Sequence, residues 1–313
     1  MPDSFRVSVC MTAYNQQEYI GQAIEGVLNQ RTSFPIELFI GDDHSTDGTS
    51  EICRNYASKF PDIIKYNLRE TNIGMMSNFV ETLRSCDGKY IAICEGDDYW
   101  TDETKLQQQA EFLEANPHVS LCCHNHAVLK KGLLRQANPG IEGEVSILGG
   151  EDYLINPFFH TASYFFRNAA QPAPYPEWYR NVLLAGDHFL VLFLSLKGQI
   201  GYINKTMSVF RVHKKSYSST RDLLNMKHDY MVNLARFDAF SGSKFRTTID
   251  TVIKKWNLVY HVYEPVGYFS RIGFLFRNVR FLVSNYRYVG GVKVLFRYFL
   301  PASLAGKIRN RIS

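Results

Sequence analysis

Two acidic pairs stand out in this chain: Asp42-Asp43 in IELFIGDDHSTDG, and Asp97-Asp98 in YIAICEGDDYW, where Glu95 adds another carboxylate. Carboxylates this close repel one another, and a bound divalent cation screens that repulsion. Mg2+ and Mn2+ are the natural candidates, because they prefer oxygen ligands and share them with substrate phosphates. A further acid, Asp187 in AGDHF, has two possible roles. It can act as a general base toward a hydroxyl, or it can simply sit at a helix N-terminus, stabilised by the dipole. Arg211 and His213 lie two apart in FRVHKK, so in extended backbone they share one side.

Other phosphate and metal devices are missing. The chain has no GxGxxG and no GxxxxGK[ST], which argues against a dinucleotide fold of the usual kind and against a P-loop NTPase. Asp43-x-Ser45-x-Asp47-Gly48 begins like a calcium loop, but Arg54 stands at its twelfth position, where a Glu is needed. His124 and His126 share a strand face without a third ligand nearby, which is too little for a zinc site.

The elements that must position these residues follow from periodicity. Short apolar, β-rich runs at 6–13, 36–40, 63–67 and 90–94 alternate with helical spacing at 18–30, 46–60 and 75–85. That alternation predicts βαβ units and a parallel sheet with helices on both faces. Ligands of such sheets bind beyond the carboxyl ends of the strands, and both acidic pairs fall there. Further on, strands are predicted at 119–129, 161–167 and 200–211, a loop or hairpin at 130–150, and a helix at 181–196. From about residue 222 the pattern turns helical, with apolar stripes at 272–283 and 292–300.

With these elements in place, four segments in order resemble the family-2 glycosyltransferases of the GT-A fold: VSVCMTAYNQQEYIGQAIEGVLNQ, IELFIGDDHSTDGT, NIGMMSNF and YIAICEGDDYW. The similarity runs from about residue 6 to about residue 215. It implies a doubly wound, mostly parallel α/β sheet with a C-terminal helical extension. It also implies inverting transfer of a sugar from a nucleotide diphosphate sugar, with a divalent cation, Mn2+ or Mg2+, at the diphosphate. Carried over position by position, the resemblance sets Thr12, Ala13 and Tyr14 against the nucleotide and Asp42 or Asp43 on its base. Asn72, Gly74 and Asn78 fall in a nearby loop and helix start. Asp97 and Asp98 match the metal and sugar end of the acidic motif, and Glu95 stands where Asp is more usual. Asp187 matches the catalytic base. Arg211 and His213 match the end of the catalytic domain, with His213 a candidate for the metal or the diphosphate and Lys214 and Lys215 near a phosphate. Trp100, His160, Thr161 and His188 fall on the acceptor side.

The domain reading is a catalytic domain at 1–215, with nucleotide-sugar binding at 1–100 and the acceptor side at 101–215, followed by a tail at 216–313. Composition supports a folded protein: 45% hydrophobic and 21% charged residues are globular values. The net charge of +5 is unevenly spread. From Lys254 onward there are 11 Lys or Arg and one acid, Glu264, so the remainder carries a net −5. Basic residues interleaved with Phe, Tyr and Leu predict a tail that docks on an anionic membrane surface. No nucleic-acid module is visible. Six cysteines without CxxC spacing read as buried thiols of a cytoplasmic protein. The N-terminus enters a strand directly, and the most apolar stretch is broken by Asp187 and His188, so neither a secretory signal nor a spanning helix is expected. The expected place is the inner face of a membrane and the expected acceptor a glycan or lipid-linked precursor. Two alternatives remain at this level: a nucleotidyltransferase, and an inactive sugar-binding scaffold.

Overall fold

The computed structural model describes residues 5–137, 141, 143–157, 159–183, 185–213 and 223–263. In chain order the elements are β1 (Val7–Ala13), α1 (Ile20–Leu28), β2 (Ile36–Asp42), α2 (Thr49–Lys59), β3 (Ile64–Leu68), α3 (Met75–Ser85) and β4 (Tyr90–Ile93). They continue with β5 (Tyr99–Trp100), α4 (Lys105–Ala115), β6 (Val119–Lys130), β7 (Leu133–Gln136), β8 (Val145–Leu148) and α5 (Gly150–Ile155). The last are β9 (Phe165–Arg167), α6 (Gly186–Ser195), β10 (Gln199–Val212), α7 (Leu223–Phe240) and α8 (Arg246–Tyr263).

The strands form one mixed sheet in the order β3-β2-β1-β4-β9-β6-β10-β5, with β7 beside β6 and β8 beside β10. β1 runs parallel to β2 and β4, and β6 runs parallel to β10. β9 is antiparallel to both β4 and β6 and joins the two parallel halves. Strands buried on both faces need apolar residues at every position, and β1 and β4 meet that need with Val7, Val9, Met11, Tyr90 and Ile91. α1 buries Ile20, Ala23, Ile24 and Val27 on one stripe against this sheet. Each such side chain contributes about 1.5–3 kcal/mol by leaving water.

Two local expectations are corrected and a third is made specific. Residues 161–167 are not one strand: Thr161–Ser163 is a 3-10 turn, and only Phe165–Arg167 pairs. The helix expected over 181–196 begins at Gly186, and Glu177–Asn181 ahead of it is a separate 3-10 turn. The segment expected as a loop or hairpin over 130–150 is a hairpin from β6 into β7, followed by β8. All six cysteines are buried and none forms a disulfide.

α4 carries an unexpected group. Lys105 is fully buried, its Nζ 2.7 Å from Gln109 Oε1 and 4.0 Å from the centre of the Trp100 ring. Burial pushes its ammonium down to about 7. The unfolded chain therefore binds the extra proton between about pH 7 and the ordinary lysine range, so this group makes stability rise with pH there. Lys105→Met is expected to flatten that rise, which thermal melts from pH 7 to 10 measure.

The chain divides into two compact units, Met1–Tyr153 with Pro157–Asp222, and Leu154–Asn156 with Leu223–Ser313. In the second unit α7 and α8 pair through Phe237 stacked on Phe245 and Tyr230 edge-on to Trp256, with Arg246 bridged to Asp238. The apolar stripes expected at 272–283 and 292–300, and most of the basic tail, lie outside the described residues. Among the described residues, no helix is long and apolar enough to cross a membrane.

Candidate active site

The carboxyl ends of β1, β2 and β4 are tied to one another by backbone. Asp43 N donates to Ala13 O at 2.9 Å and Gly96 N donates to Thr12 O at 3.0 Å. The loop after β1 is pinned to the loop after β2 by Asn15 N to Ser45 Oγ (3.0 Å) and Thr46 N to Asn15 Oδ1 (2.8 Å). Tyr14 stands on the rim of this cleft, 47% exposed.

Asp42 and Asp43 share the β2 end but have different tasks. Asp42 is fully buried; its carboxylate accepts from Ser45 N, Ser50 Oγ and Tyr66 OH. Asp43 accepts from Ile73 N at 2.8 Å and Gly74 N at 3.0 Å, while Asn72 Nδ2 donates to its carbonyl. Gly74 turns here at φ +87°, a conformation that favours glycine. Asn78 is buried as well, donating to Gly41 O and accepting from Arg69 Nε. Asp42 and Asn78 therefore shape the cleft wall from behind, and their polar atoms are spent on the fold.

The Glu95–Asp98 turn is the acidic centre. A side chain at Gly96 would press on the Gln16 and Ile20 side chains, which would have to shift to admit it. Asp98 is 1% exposed; its Oδ1 accepts from Arg211 N at 2.8 Å and its Oδ2 lies 3.5 Å from His160 Nδ1. The Arg211 guanidinium returns to Asp97 O at 2.8 Å and to Gln22, and stacks over Tyr99. His213 Nε2 sits 3.0 Å from Asp97 Oδ2, with its ring against Tyr19. The end of β10 and the β4–β5 turn thus form one assembly across more than 110 residues of sequence.

The charges here are frustrated. Burial raises Glu95 to about 8, and the Asp97 and Asp187 charges add to it. Burial, Asp97 and Glu95 also raise Asp98. His160 is pushed down to about 3 by burial, so beside Asp98 it offers a lone pair and no charge. Glu95, Asp98 and His160 each present a ligand atom, all within 4.8 Å of one another. His160 had been expected only on the acceptor side; the structure brings it to the acids, and the ring of His126 packs on it.

Asp187 lies in the first turn of α6, after Ala185 in left-handed conformation (φ 59°). Its Oδ2 accepts from Thr161 Oγ1 at 3.0 Å. Loss of solvation raises the carboxyl, while the backbone N–H groups of His188 and Asp187 and the Thr161 hydroxyl pull the other way. The Thr161 hydroxyl and the Asp187 charge both act on Glu95, so the acidic turn and Asp187 are close neighbours. Sequence reasoning gave Thr161 an acceptor contact and missed this proximity, which no spacing reveals.

Two other acceptor-side candidates are internal. Trp100 is 4% exposed and its Nε1 donates to Ala162 O, which holds the 3-10 turn bearing Thr161. His188 is buried against Tyr153 and pushed down to about 3 by that burial. Lys214 and Lys215 lie outside the described residues.

A mixed α/β sheet with acidic turns at the carboxyl ends of its parallel strands is the GT-A arrangement. The glycosyl transferase family 2 model matches residues 8–171, and the chain belongs to that family. The uncharacterized protein Rv1520 of Mycobacterium tuberculosis is 34% identical over 260 residues, 80% of this chain and 74% of that protein. Among solved structures, S. aureus TarS 1–349 with UDP-GlcNAc superposes at a TM-score of 0.64 and 17% identity, covering 80% of this chain and 71% of that one. A Pyrobaculum calidifontis mannosyltransferase with GDP-Man and Mn2+ gives 0.55 at 15% identity, covering 95% and 86%. Family membership removes the nucleotidyltransferase alternative.

Proposed function

We propose that the protein is an inverting transferase that moves a sugar from a nucleotide diphosphate sugar, with UDP as the nucleotide, onto a glycan or lipid-linked acceptor in surface polysaccharide assembly. The observation that carries this reading is the Asp187–Thr161 hydrogen bond beside Glu95. It sets a half-buried carboxylate with a raised pKa beside the acidic turn, as a single displacement requires: a base at one end and charge control at the leaving group. Thr12, Ala13, Tyr14 and Asp43, at the ends of β1 and β2, are proposed to face the nucleotide. The UDP-GlcNAc bound by TarS favours uridine.

The donor set suits a hard divalent cation. Asp97 and His213 present two ligand atoms 3.0 Å apart on the open side of the turn, with Asp98 buried behind them. We assign Mn2+ or Mg2+ to Asp97 and His213, leaving positions for phosphate oxygens and water. Bound there, the ion supplies positive charge against the departing diphosphate. The Glu95, Asp98 and His160 cluster is the second reading, favoured by its mutual proximity. Arg211 holds the Asp97 backbone and supports either site.

Domain roles follow the sequence reading: donor binding within 1–100, acceptor binding within 101–215, and a basic tail at 216–313 that docks on the inner face of a membrane. Calorimetric titration with UDP, GDP and dTDP, with and without Mn2+, tests the whole. Metal-dependent binding of UDP alone is expected; well-folded protein that binds no nucleotide overturns the reading.

Thr161 is a positioning residue in this scheme. A hydrogen bond to an ionised carboxylate is worth about 1.5–3 kcal/mol. Thr161→Val is expected to lower kcat roughly tenfold. It also removes a group that lowers the Asp187 pKa, so the acid limb, where activity falls as the base is protonated, moves to higher pH. Glu95, Tyr164, Tyr179 and His188 also face Asp187 and stay in place. Thr161→Ser restores both the rate and the limb; a pH profile of kcat for the three proteins measures this.

A further inference from the structure

The hairpin joining β6 to β7 has surface chemistry that sugar transfer leaves unused. Lys131 (φ 52°) and Gly132 (φ 77°) both take the left-handed conformation, and Lys130 pairs with Leu133 across them. This is the two-residue turn that matches the natural twist of a hairpin, so the wing is well defined. Leu133 and Leu134 are 61% and 59% exposed, the highest values among the large apolar residues described. Neighbouring strand residues point to opposite faces, so neither face of the wing is covered. Lys130, Lys131 and Arg135 surround them, also exposed, and no acid occurs from Val128 to Ala137.

One exposed leucine is ordinary; two adjacent ones set among three cations select a partner. A soluble polyanion satisfies the cations and leaves the leucines in water. An anionic lipid surface takes both, with leucines at the acyl boundary and ammonium and guanidinium groups among the headgroups. The wing is also well placed. β6 and β10 are parallel, with Leu129 opposite Arg211 and Lys130 opposite Val212, so the hairpin leaves the sheet beside the strand end that carries Arg211 and His213. His126, whose ring packs on His160, precedes Lys130 by four residues, about 13 Å of extended chain.

We propose that the β6–β7 hairpin docks on an anionic lipid surface, with Leu133 and Leu134 as apolar anchors and Lys130, Lys131 and Arg135 as headgroup contacts. The site then opens close to the headgroups. This segment is not part of the basic tail in sequence, and its role does not depend on those given to Asp187 or the metal.

The test places a reporter in the hairpin of the full chain. Leu134→Trp is mixed with vesicles of phosphatidylglycerol and phosphatidylcholine brominated on the acyl chains, and the wild-type signal from Trp100, Trp178 and Trp256 is subtracted. The introduced indole is expected to shift to the blue and lose at least half its emission, with neither change on pure phosphatidylcholine. The double variant Leu133→Ser, Leu134→Ser is expected to partition at least tenfold more weakly, with UDP binding unchanged. Cosedimentation without quenching would assign docking to another part of the chain and overturn the proposal. So would a failure to bind vesicles, or spectral changes that soluble polyglutamate reproduces.

Discussion

Asp187→Asn is expected to lower kcat on the order of 10³-fold, the scale of a lost general base. Asparagine has nearly the same shape and its amide oxygen still accepts the Thr161 hydroxyl, so the pocket keeps its form. What is lost is the ability to take the proton from the acceptor. The proposed nucleotide contacts are at the ends of β1 and β2 and do not include Asp187, so UDP affinity should stay within about twofold, as fits a group that acts on the transition state alone. Turnover measured beside UDP titration checks both halves. Near-normal turnover would mean that another group takes the proton, and the Asp187–Thr161 bond would then be structural.

The second large effect concerns the ion. Asp97→Asn and His213→Ala should each weaken Mn2+ and UDP binding together, by roughly 10–100-fold, the loss usual when groups supporting a metal site are removed. His160→Ala should leave metal affinity nearly unchanged if Asp97 and His213 are the ligands. The reverse order would assign the ion to the Glu95, Asp98 and His160 cluster. Direct metal titration of the three variants decides between the two sets without an activity assay.

Much of this architecture was legible from the chain. β1 through β4 and their helices follow from apolar runs and helical spacing, since a sheet covered on both faces leaves little choice of residue type. The acidic turns were legible because carboxylates cluster where such sheets bind ligands. The rest depends on contacts between distant segments. Nothing local indicates that Arg211 N reaches Asp98, or that Thr161 bonds Asp187 beside Glu95. The 161–167 segment reads as a strand because TASYFFR is β-rich, yet the His160 side chain caps a 3-10 turn at its start. Lys105 follows Asp102, Glu103 and Thr104, and nothing in that local sequence shows that Trp100 and Gln109 enclose it. Trp100 and His188, expected on the acceptor side, are both buried, and an aromatic or imidazole group beside a motif shows nothing of which way it points.

The place of β9 has a consequence for synthesis. β4 is complete at Ile93, but the strand that covers its free edge begins only at Phe165. At about 5–20 residues per second, that edge waits roughly 4–14 seconds on the ribosome with unpaired backbone groups between apolar side chains. Such an edge invites pairing with another nascent chain. A chain that ends anywhere between β8 and β9 keeps that exposure permanently, together with bare edges on both β4 and β6. Premature termination in this interval should therefore yield insoluble product, and the segment that delivers Thr161 to the site also seals the sheet.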